Sequence, residues 1–153
     1  MDIRVDDLES AVVIELLQEH LAAMEPTAPP ESRHALDLDG LRSADVTFWS
    51  MWDGIELAGV GALKQLSKDH AEIKSMKTAT AYLRQGVASR MVQHIIAEAK
   101  ASGYKQLSLE TGSMAYFEPA RRLYASFGFT QCPPFGSYIA DPNSVFMTKR
   151  LLK

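Results

Sequence analysis

The 153-residue sequence predicts a single α/β domain with a mixed central sheet. Two β-rich runs flank Asp53-Gly54, which predicts an antiparallel hairpin. Further along, a strand, an amphipathic helix and a second strand succeed one another, which predicts a parallel βαβ-like unit with a right-handed crossover. The length is near the common size of one domain, and 46% apolar with 23% charged residues is typical of a packed globular chain. Residues 1–153 are therefore expected to form one domain.

The first half of the chain should hold a short strand, a helix and the hairpin. A strand is predicted at 3–5, and apolar residues then recur at helical spacing from Leu8 until Pro26. The stretch 25–40 contains three of the seven prolines, which predicts a loop or short helix with a functional role. The hairpin spans 46–66, and its Asp-Gly pair predicts a type I′ turn.

The second half should hold the βαβ-like unit. A strand is predicted over 71–78, although Ile73 and Met76 are three residues apart and strict alternation would put them on opposite faces. A β-bulge would bring both onto one face, and a strand covered on both sides without a bulge is the open alternative. The helix runs over 85–102 with one apolar side, and the next strand alternates over 104–111.

The chain should end with a helix and two strands. The helix begins near Glu118, has Pro119 in its first turn and stops at Gly128. Closing strands are predicted over 129–132 and 145–151. In the hairpin, alternation sends Trp49 to the face opposite Phe48 and Trp52.

Charge and composition exclude several classes of function. The formal net charge of −3 argues against broad binding of nucleic acid, which needs a basic excess. The first ten residues lack the apolar core of a signal peptide, and no stretch approaches the roughly 18 apolar residues of a membrane span. The lone Cys132 cannot form an internal disulfide and suits a reducing compartment. We expect a cytoplasmic protein without nucleic-acid or membrane partners.

The cysteine and the histidines do not form a recognisable reactive site. No His or Asp signature surrounds Cys132, which favours a structural thiol over a nucleophile. The histidines lack the i, i+4 pairing or cysteine company of metal ligands, so no metal is predicted; they are His20, His34, His70 and His94.

A glycine and two arginines mark the start of the 85–102 helix. The first N–H groups of a helix lack intrahelical acceptors, and the helix dipole adds positive charge there. Gly86 lets a ligand approach the backbone, and Arg84 and Arg90 add charge, which together favour an anion such as a pyrophosphate. A loop glycine beside solvated arginines is about equally compatible with this short motif. Neither a Walker phosphate loop nor a GxGxxG fingerprint is present.

Two motifs in order resemble the GNAT superfamily of acyl-CoA-dependent N-acetyltransferases. The family's acetyl-CoA motif, Gln or Arg, two residues, Gly, one residue, then Gly or Ala, falls on Leu83 to Ala88; Gly86 matches and Leu83 departs from it. The segment ARRLYASFGF is similar to the family's closing A-x-x-L-Y-x-x-x-G-F signature, with Tyr124 at the tyrosine position. The motifs cover 71–129, and the elements before them fit the same fold in order.

The resemblance implies the fold and the cofactor. Members have a mixed, mostly antiparallel sheet of about six to seven strands, splayed at strands 4 and 5 and flanked by helices. The pantetheine arm of acetyl-CoA lies in the splay and pairs with strand 4, which here puts Met76, Lys77 and Thr78 against it. The pyrophosphate is expected at the turn formed by Arg84, Gln85, Gly86, Val87, Ala88 and Ser89.

The resemblance also implies two catalytic residues. Tyr124 stands where members often have the tyrosine that protonates the departing sulfur; packing in the last helix is its alternative role. Glu72 stands near the position of the general base in some members, although a solvated strand-start carboxylate is the commoner role for such a residue. Glu110 is the second candidate carboxylate.

The predicted function is transfer of the acetyl group of acetyl-CoA to a primary amine of a small molecule or peptide by direct attack. The acceptor pocket is expected from 25–41 and 133–143, whose charged residues are Glu31, Arg33, His34, Asp37, Asp39 and Asp141. A homodimer is common in the family. One alternative is a catalytically inactive CoA-binding regulatory or interaction module, which Leu83 would favour, and another is a nucleotide-binding module that uses the same helix start.

Overall fold

A computed structural model describes residues 1–24 and 38–151. Within these ranges, short 3₁₀ helices lie between longer elements at Thr80–Tyr82 and Ala115–Phe117. The elements in chain order are β1 (Asp2–Val5), α1 (Ala11–Met24), α2 (Leu38–Leu41), β2 (Val46–Asp53), β3 (Glu56–Gln65), β4 (His70–Thr78), α3 (Val87–Ala101), β5 (Gln106–Gly112), α4 (Glu118–Ser126), β6 (Thr130–Cys132) and β7 (Ser144–Arg150).

The seven strands form one mixed sheet in the order β1-β2-β3-β4-β5-β7-β6. β4 and β5 pair in parallel across the α3 crossover, and the other neighbours are antiparallel. This arrangement confirms the predicted mixed, mostly antiparallel sheet of six to seven strands. None of the helices in the described ranges is both long and apolar enough to cross a bilayer.

The β2–β3 hairpin forms where the sequence predicts it, but its turn type differs. Asp53 pairs with Glu56, which leaves Gly54 and Ile55 as the two turn residues. Gly54 has φ +62°, whereas Ile55 is not among the residues with positive φ. A type I′ turn requires positive φ at both positions, so that prediction is wrong. The physical reason is that Ile55 is β-branched and disfavours the left-handed region.

A β-bulge interrupts β4. Val60 pairs with Lys77 and Ala62 pairs with Lys74, so β4 carries one residue more than β3 between the two pairs. Ser75, inside the bulge, has φ +56°. The extra residue re-phases the strand, and Met76 packs with the core cluster that contains Ile73. The bulge, rather than the doubly covered strand, therefore resolves the spacing of these two side chains.

β4 and β5 diverge at their carboxyl ends. Their pairing ends at Ile73 and Leu109, although β4 continues to Thr78 and β5 to Gly112. This gap is the predicted splay between strands 4 and 5. It opens immediately after the last paired residue, at the level of the bulge.

The sheet separates two apolar clusters. The larger contains Trp49, Met91 and Tyr124 and packs against α3 and α4, and the smaller contains Val13 and Phe48 and packs against α1 and α2. Trp52 contacts the smaller cluster, so the predicted alternation of the hairpin aromatics is confirmed. At ~25 cal/mol per Å² of buried apolar surface, these clusters are the main source of stability.

Candidate active site

A cavity of about 320 Å³ lies between the diverging ends of β4 and β5. β4 supplies one wall from before the bulge to the end of the strand, and α4 and the end of β5 supply the other. The lining side chains are His20, Glu72, Ile73, Lys74, Ser75, Met76, Lys77, Thr78, Ala88, Leu109, Glu110, Thr111, Phe117, Pro119, Ala120, Leu123 and Tyr124. The cavity therefore contains both predicted catalytic residues and the predicted cofactor-binding part of β4.

The end of β4 presents a strand edge to this cavity. Lys77 and Thr78 pair with β3 on one side, while pairing with β5 on the other side has already ended at Ile73. Backbone polar groups on an unpaired edge favour an extended partner. The walls suit a narrow ligand that adds to the sheet like a short strand.

The turn before α3 has the conformation of an anion-binding loop. Arg84 has φ +61° and Gly86 has φ +81°, and Gly86 is the N-cap of α3. A Cβ at Gly86 would meet no atom within 4 Å, so the space above its backbone is open. Left-handed turn residues followed by free helix N–H groups form a concave anion site. The local backbone thus suits a pyrophosphate.

The side chains of this turn divide between core and solvent. Val87 is 2% exposed and packs into the larger cluster, which anchors the first turn of α3. Arg84 is exposed, and the Gln85 side chain donates to the carbonyl of Ala81 at 3.0 Å. Ala88 lines the cavity. Of these residues, Arg84 is therefore the one whose charged side chain is available to a ligand at the turn.

Tyr82 ties this turn to the hairpin. Its hydroxyl lies 2.8 Å from Glu56 Oε2 and 3.1 Å from Asp53 Oδ2. Hydrogen bonding to Glu56, together with desolvation, raises the pKa of Tyr82. The phenol remains protonated at neutral pH and holds the turn against the β2–β3 connection.

Reversing the charge of Arg84 should weaken binding of CoA. Arg84→Glu replaces an exposed cation with an anion beside the N-cap, and we expect the dissociation constant to rise about tenfold. Isothermal titration calorimetry with CoA measures this change. Arg150→Glu is the matched control because Arg150 is exposed and pairs with Gln106, at the opposite end of β5 from the splay. Equal affinities for Arg84→Glu and the unmodified protein would remove Arg84 from the site.

Tyr124 lies at the α4 wall of the cavity. It is 6% exposed, and its ring packs edge-on against Phe129 with centroids 5.8 Å apart. Burial raises the pKa of Tyr124, so the phenol keeps its proton through the neutral range. No hydrogen bond joins its hydroxyl to another described residue. Tyr124 is consequently a neutral donor that faces the cavity with its proton available.

Glu72 lies at the other wall and is 3% exposed. The Tyr138 hydroxyl donates to its Oε2 at 2.5 Å, and Lys74 Nζ donates to the same oxygen at 3.2 Å. Lys74 also donates to the Tyr138 hydroxyl at 2.8 Å. Glu72 is therefore not a solvated surface charge; it is a buried carboxylate in a hydrogen-bonded group.

Some of the predicted site residues line the cavity, and the others lie beside it. Glu72, Tyr124, Met76, Lys77, Thr78 and Ala88 line it together with Glu110, whereas Arg84, Gln85, Gly86, Val87 and Ser89 do not. Those five belong to the adjoining turn and the first turn of α3. Cys132 does not line the cavity, and burial raises the pKa of its thiol. Within residues 1–24 and 38–151, no three His, Cys, Asp or Glu side chains are grouped to hold a metal ion.

The sequence did not predict His20, Lys74 or Tyr138 as site residues. Lys74 follows Glu72 by two positions, so strand alternation could have placed both on one face. Tyr138 is 66 residues from Glu72 and reaches it through the folded β6–β7 connection. Of the predicted acceptor-pocket residues, Glu31, Arg33, His34 and Asp37 lie outside the described residues, whereas Asp39 and Asp141 lie within them.

His20 should make stability depend on pH. Burial, with the nearby positive charge of Lys77, lowers its pKa to about 4. An unfolded histidine has a pKa of about 6.5, so between these values the unfolded state binds more protons and the free energy of unfolding falls as pH falls. Between about pH 7 and about pH 5, His20→Gln should remove roughly 2 kcal/mol of this dependence.

Urea unfolding at about pH 7 and about pH 5 measures this effect. His70→Gln is the comparison variant, because burial also lowers the pKa of His70. This variant keeps His20 and should therefore retain most of the dependence of stability on pH. An unchanged difference between the two pH values in His20→Gln would show that His20 titrates normally in the folded protein.

One family model matches most of the chain. The model described as "Acetyltransferase (GNAT) family" matches residues 13–129, which include the bulge, the turn and Tyr124. The chain belongs to this family. As a member it is an acyl-CoA-dependent N-acetyltransferase.

Three relatives match the GNAT chain over nearly its whole length. The uncharacterized N-acetyltransferase YsnE of Bacillus subtilis (strain 168) is 60% identical, with 99% of this chain and 100% of the relative covered. The uncharacterized N-acetyltransferase YedL of Escherichia coli (strain K12) is 48% identical, with 97% and 94% covered. The IAA acetyltransferase of Azospirillum brasilense is 34% identical, with 97% and 95% covered.

Solved structures share the fold. A Klebsiella pneumoniae subsp. pneumoniae MGH 78578 protein provisionally described as an acyl-CoA N-acyltransferase superposes with a TM-score of 0.82 at 26% identity, covering 99% of this chain and 97% of that one. A Bacillus subtilis acetyltransferase in complex with CoA superposes with a TM-score of 0.70 at 18% identity, covering 98% of both chains. The splayed mixed sheet is thus the GNAT fold.

Proposed function

We propose that this single-domain protein transfers the acetyl group of acetyl-CoA to a primary amine by direct attack. The observation that carries the proposal is the cavity in the β4–β5 splay, where a buried carboxylate, Glu72, and a neutral phenol, Tyr124, line one space beside an unpaired strand edge. An amine that attacks a thioester needs a proton acceptor, and the leaving sulfur needs a proton donor. The two side chains match these two requirements.

The residues present fit acetyl-CoA as the acyl donor. The edge of Met76, Lys77 and Thr78 would pair with the pantetheine arm, and the open backbone at Gly86 would receive the pyrophosphate. When bound, the donor supplies an activated acyl group as a thioester. A Bacillus subtilis acetyltransferase that shares the fold is in complex with CoA, which supports acetyl-CoA as the donor.

Two side chains of the protein would carry out the proton transfers. Glu72 would accept the proton of the attacking amine, and Tyr124 would donate the proton that the departing sulfur takes up. The low exposure of both groups strengthens their electrostatic effect on the reacting atoms. No covalent intermediate is needed, so Cys132 has no part in the reaction.

The acceptor is expected at the end of the cavity that contains Glu72 and Glu110. The β6–β7 connection reaches Glu72 at this end through the hydrogen bond from Tyr138, although no residue of 133–143 lines the cavity itself. Both carboxylates favour a cationic amine over an anionic acceptor, while Lys74 offsets part of their charge. Because one relative is named an IAA acetyltransferase, IAA belongs in the acceptor panel with small amines, amino acids and peptides.

Two measurements test the function. Calorimetric titration with acetyl-CoA, with ATP as the control, should give saturable binding for acetyl-CoA alone. A thiol-release assay over the acceptor panel should then give acceptor-dependent turnover. Binding without turnover on any acceptor would favour the inactive CoA-binding module, which the comparisons do not support. Tight ATP binding without preference for acetyl-CoA would favour the nucleotide-binding alternative.

A further inference from the structure

The β6–β7 connection places one hydroxyl directly on the buried carboxylate of the cavity. Tyr138 donates to Glu72 Oε2 at 2.5 Å, a short charge-assisted hydrogen bond. Its ring is held by Phe135, with centroids 5.2 Å apart, and by Phe146, at 5.3 Å. The ring packing therefore fixes the hydroxyl independently of Glu72.

Lys74 completes the group from the same strand as Glu72. Its ammonium donates to Glu72 Oε2 at 3.2 Å and to the Tyr138 hydroxyl at 2.8 Å, and its side chain is 8% exposed. Both donors thus converge on one carboxylate oxygen. Within the described residues, no hydrogen bond reaches Oε1, while Glu72 lines the cavity.

We propose that Tyr138 is a positioning residue that, with Lys74, fixes Oε2 of Glu72 and leaves Oε1 to receive the proton of the acceptor amine. This inference rests on the proposed function for the role of Glu72. A carboxylate held by one oxygen cannot rotate freely about its last bond, so the second oxygen has a defined direction. Orientation of this kind is what a proton acceptor within hydrogen-bond reach requires.

The stability of the fold alone does not account for the hydrogen-bonded group of Glu72, Lys74 and Tyr138. A buried ion pair loses hydration that its attraction only partly restores, and apolar residues of similar size often stabilise a protein equally well. The Glu72–Lys74 pair nevertheless lies at a cavity wall and not inside either apolar cluster. Its position next to the reacting space indicates a role in chemistry.

The arrangement links the acceptor pocket to the base. Tyr138 belongs to the connection that contacts Glu72 beside the acceptor end, so an acceptor that moves this connection also moves the donor on Glu72. A bound acceptor that holds the connection in place would favour the oriented carboxylate. Proton transfer would then be most efficient when the acceptor is seated.

Several other titratable or charged groups lie near Glu72, and a test that varies pH has to allow for them. They are His70 and Lys74 on β4, Glu110 on β5, His20 on α1 and Tyr138 itself. Burial, and then the charge of Glu72, raise the pKa of Tyr138, and the same charge opposes the lowering of the pKa of His70 by burial. Tyr138→Phe changes the donor to Glu72 while it leaves these other groups in place.

The first test does not need activity. The carboxyl carbon of Glu72 in ¹³C-glutamate-labelled full-length protein, assigned with Glu72→Gln, is followed by NMR as pH falls. Loss of a donor disfavours the charged carboxylate, so the midpoint in Tyr138→Phe should be higher by about half a pH unit or more. Tyr82→Phe removes a phenol that donates to other carboxylates and should leave the midpoint unchanged. Equal midpoints in the unmodified protein and Tyr138→Phe would overturn the inference.

The second test is kinetic. Tyr138→Phe keeps the ring, so the aromatic packing should survive while kcat falls about three- to tenfold and KM for acetyl-CoA stays within about twofold. The acidic limb of the kcat/KM profile should move to higher pH. Tyr104→Phe, a hydroxyl deletion outside the cavity, should change neither quantity. An unmodified protein that turns over no acceptor would contradict the proposed function, whereas an active protein whose profile is unchanged by Tyr138→Phe would overturn only this inference.

Discussion

Replacing Glu72 with glutamine should lower kcat about 100-fold or more while acetyl-CoA still binds. The amide keeps the size of the side chain and an oxygen that can accept from Tyr138, but it cannot take a proton from the amine. General base catalysis typically contributes about 10²- to 10⁴-fold, which sets the size of the effect. Steady-state kinetics with the best acceptor of the panel and calorimetry with acetyl-CoA measure the two quantities.

Loss of the Glu72 charge also leaves the Lys74 ammonium without its ion-pair partner. Leaving a buried charge unpaired costs several kcal/mol, so the fold of Glu72→Gln has to be checked by urea unfolding. Double replacement with Lys74→Met removes the unpaired charge and should recover part of the lost stability without recovering kcat. Recovery of both would show that Glu72 is structural.

Glu110→Gln separates the two carboxylates of the cavity. Glu110 lines the same space from β5, and its charge acts on Tyr138, whose hydroxyl donates to Glu72 Oε2. We expect its replacement to lower kcat by less than about tenfold and to act mainly on KM for the acceptor. If Glu110→Gln instead abolished turnover and Glu72→Gln did not, Glu110 would be the base.

The sequence predicted the fold well because its signals were local. The hairpin, the α3 stop and the α4 boundaries depend on turn glycines and on apolar periodicity, which are visible within about 20 residues. The bulge remained open between two interpretations, since its cause is the pairing of β4 with β3 and not the spacing of Ile73 and Met76 alone. The hairpin turn type was missed because Ile55, and not Gly54, occupies the second turn position.

The site was less predictable where it depends on contacts distant in sequence. Tyr124 and Glu72 were predicted through resemblance to a family, and their shared cavity needs only neighbouring elements. Tyr138 reaches Glu72 across 66 residues from a connection without regular structure, so no periodic pattern indicates it. The burial of Lys74 is likewise a property of the folded connection above it. A strand-start charge and a buried catalytic carboxylate look the same in a single sequence.

Tyr124→Phe should lower kcat about 10- to 100-fold with little change in stability or in KM for acetyl-CoA. The change deletes one hydroxyl that has no hydrogen-bond partner among the described residues, so the buried ring keeps its contact with Phe129. Without that donor, the departing sulfur must leave as the thiolate or take its proton from water. Stopped-flow or steady-state measurement of thiol release follows the affected step.

Measurements of kcat and of unfolding together distinguish a proton donor from a packing residue at Tyr124. Because burial raises the pKa of Tyr124, the phenol remains protonated up to at least about pH 10, and the alkaline limb of the unmodified enzyme below that value cannot come from its ionisation. Tyr104→Phe is the matched control, since burial also raises the pKa of Tyr104 but its side chain does not line the cavity. If Tyr124→Phe kept full kcat across this range, the proton would reach the sulfur by another route and Tyr124 would serve only to pack α4 against the sheet. If kcat fell while unfolding was unchanged, the hydroxyl would be assigned to the leaving-group side of the reaction, opposite the carboxylate of Glu72.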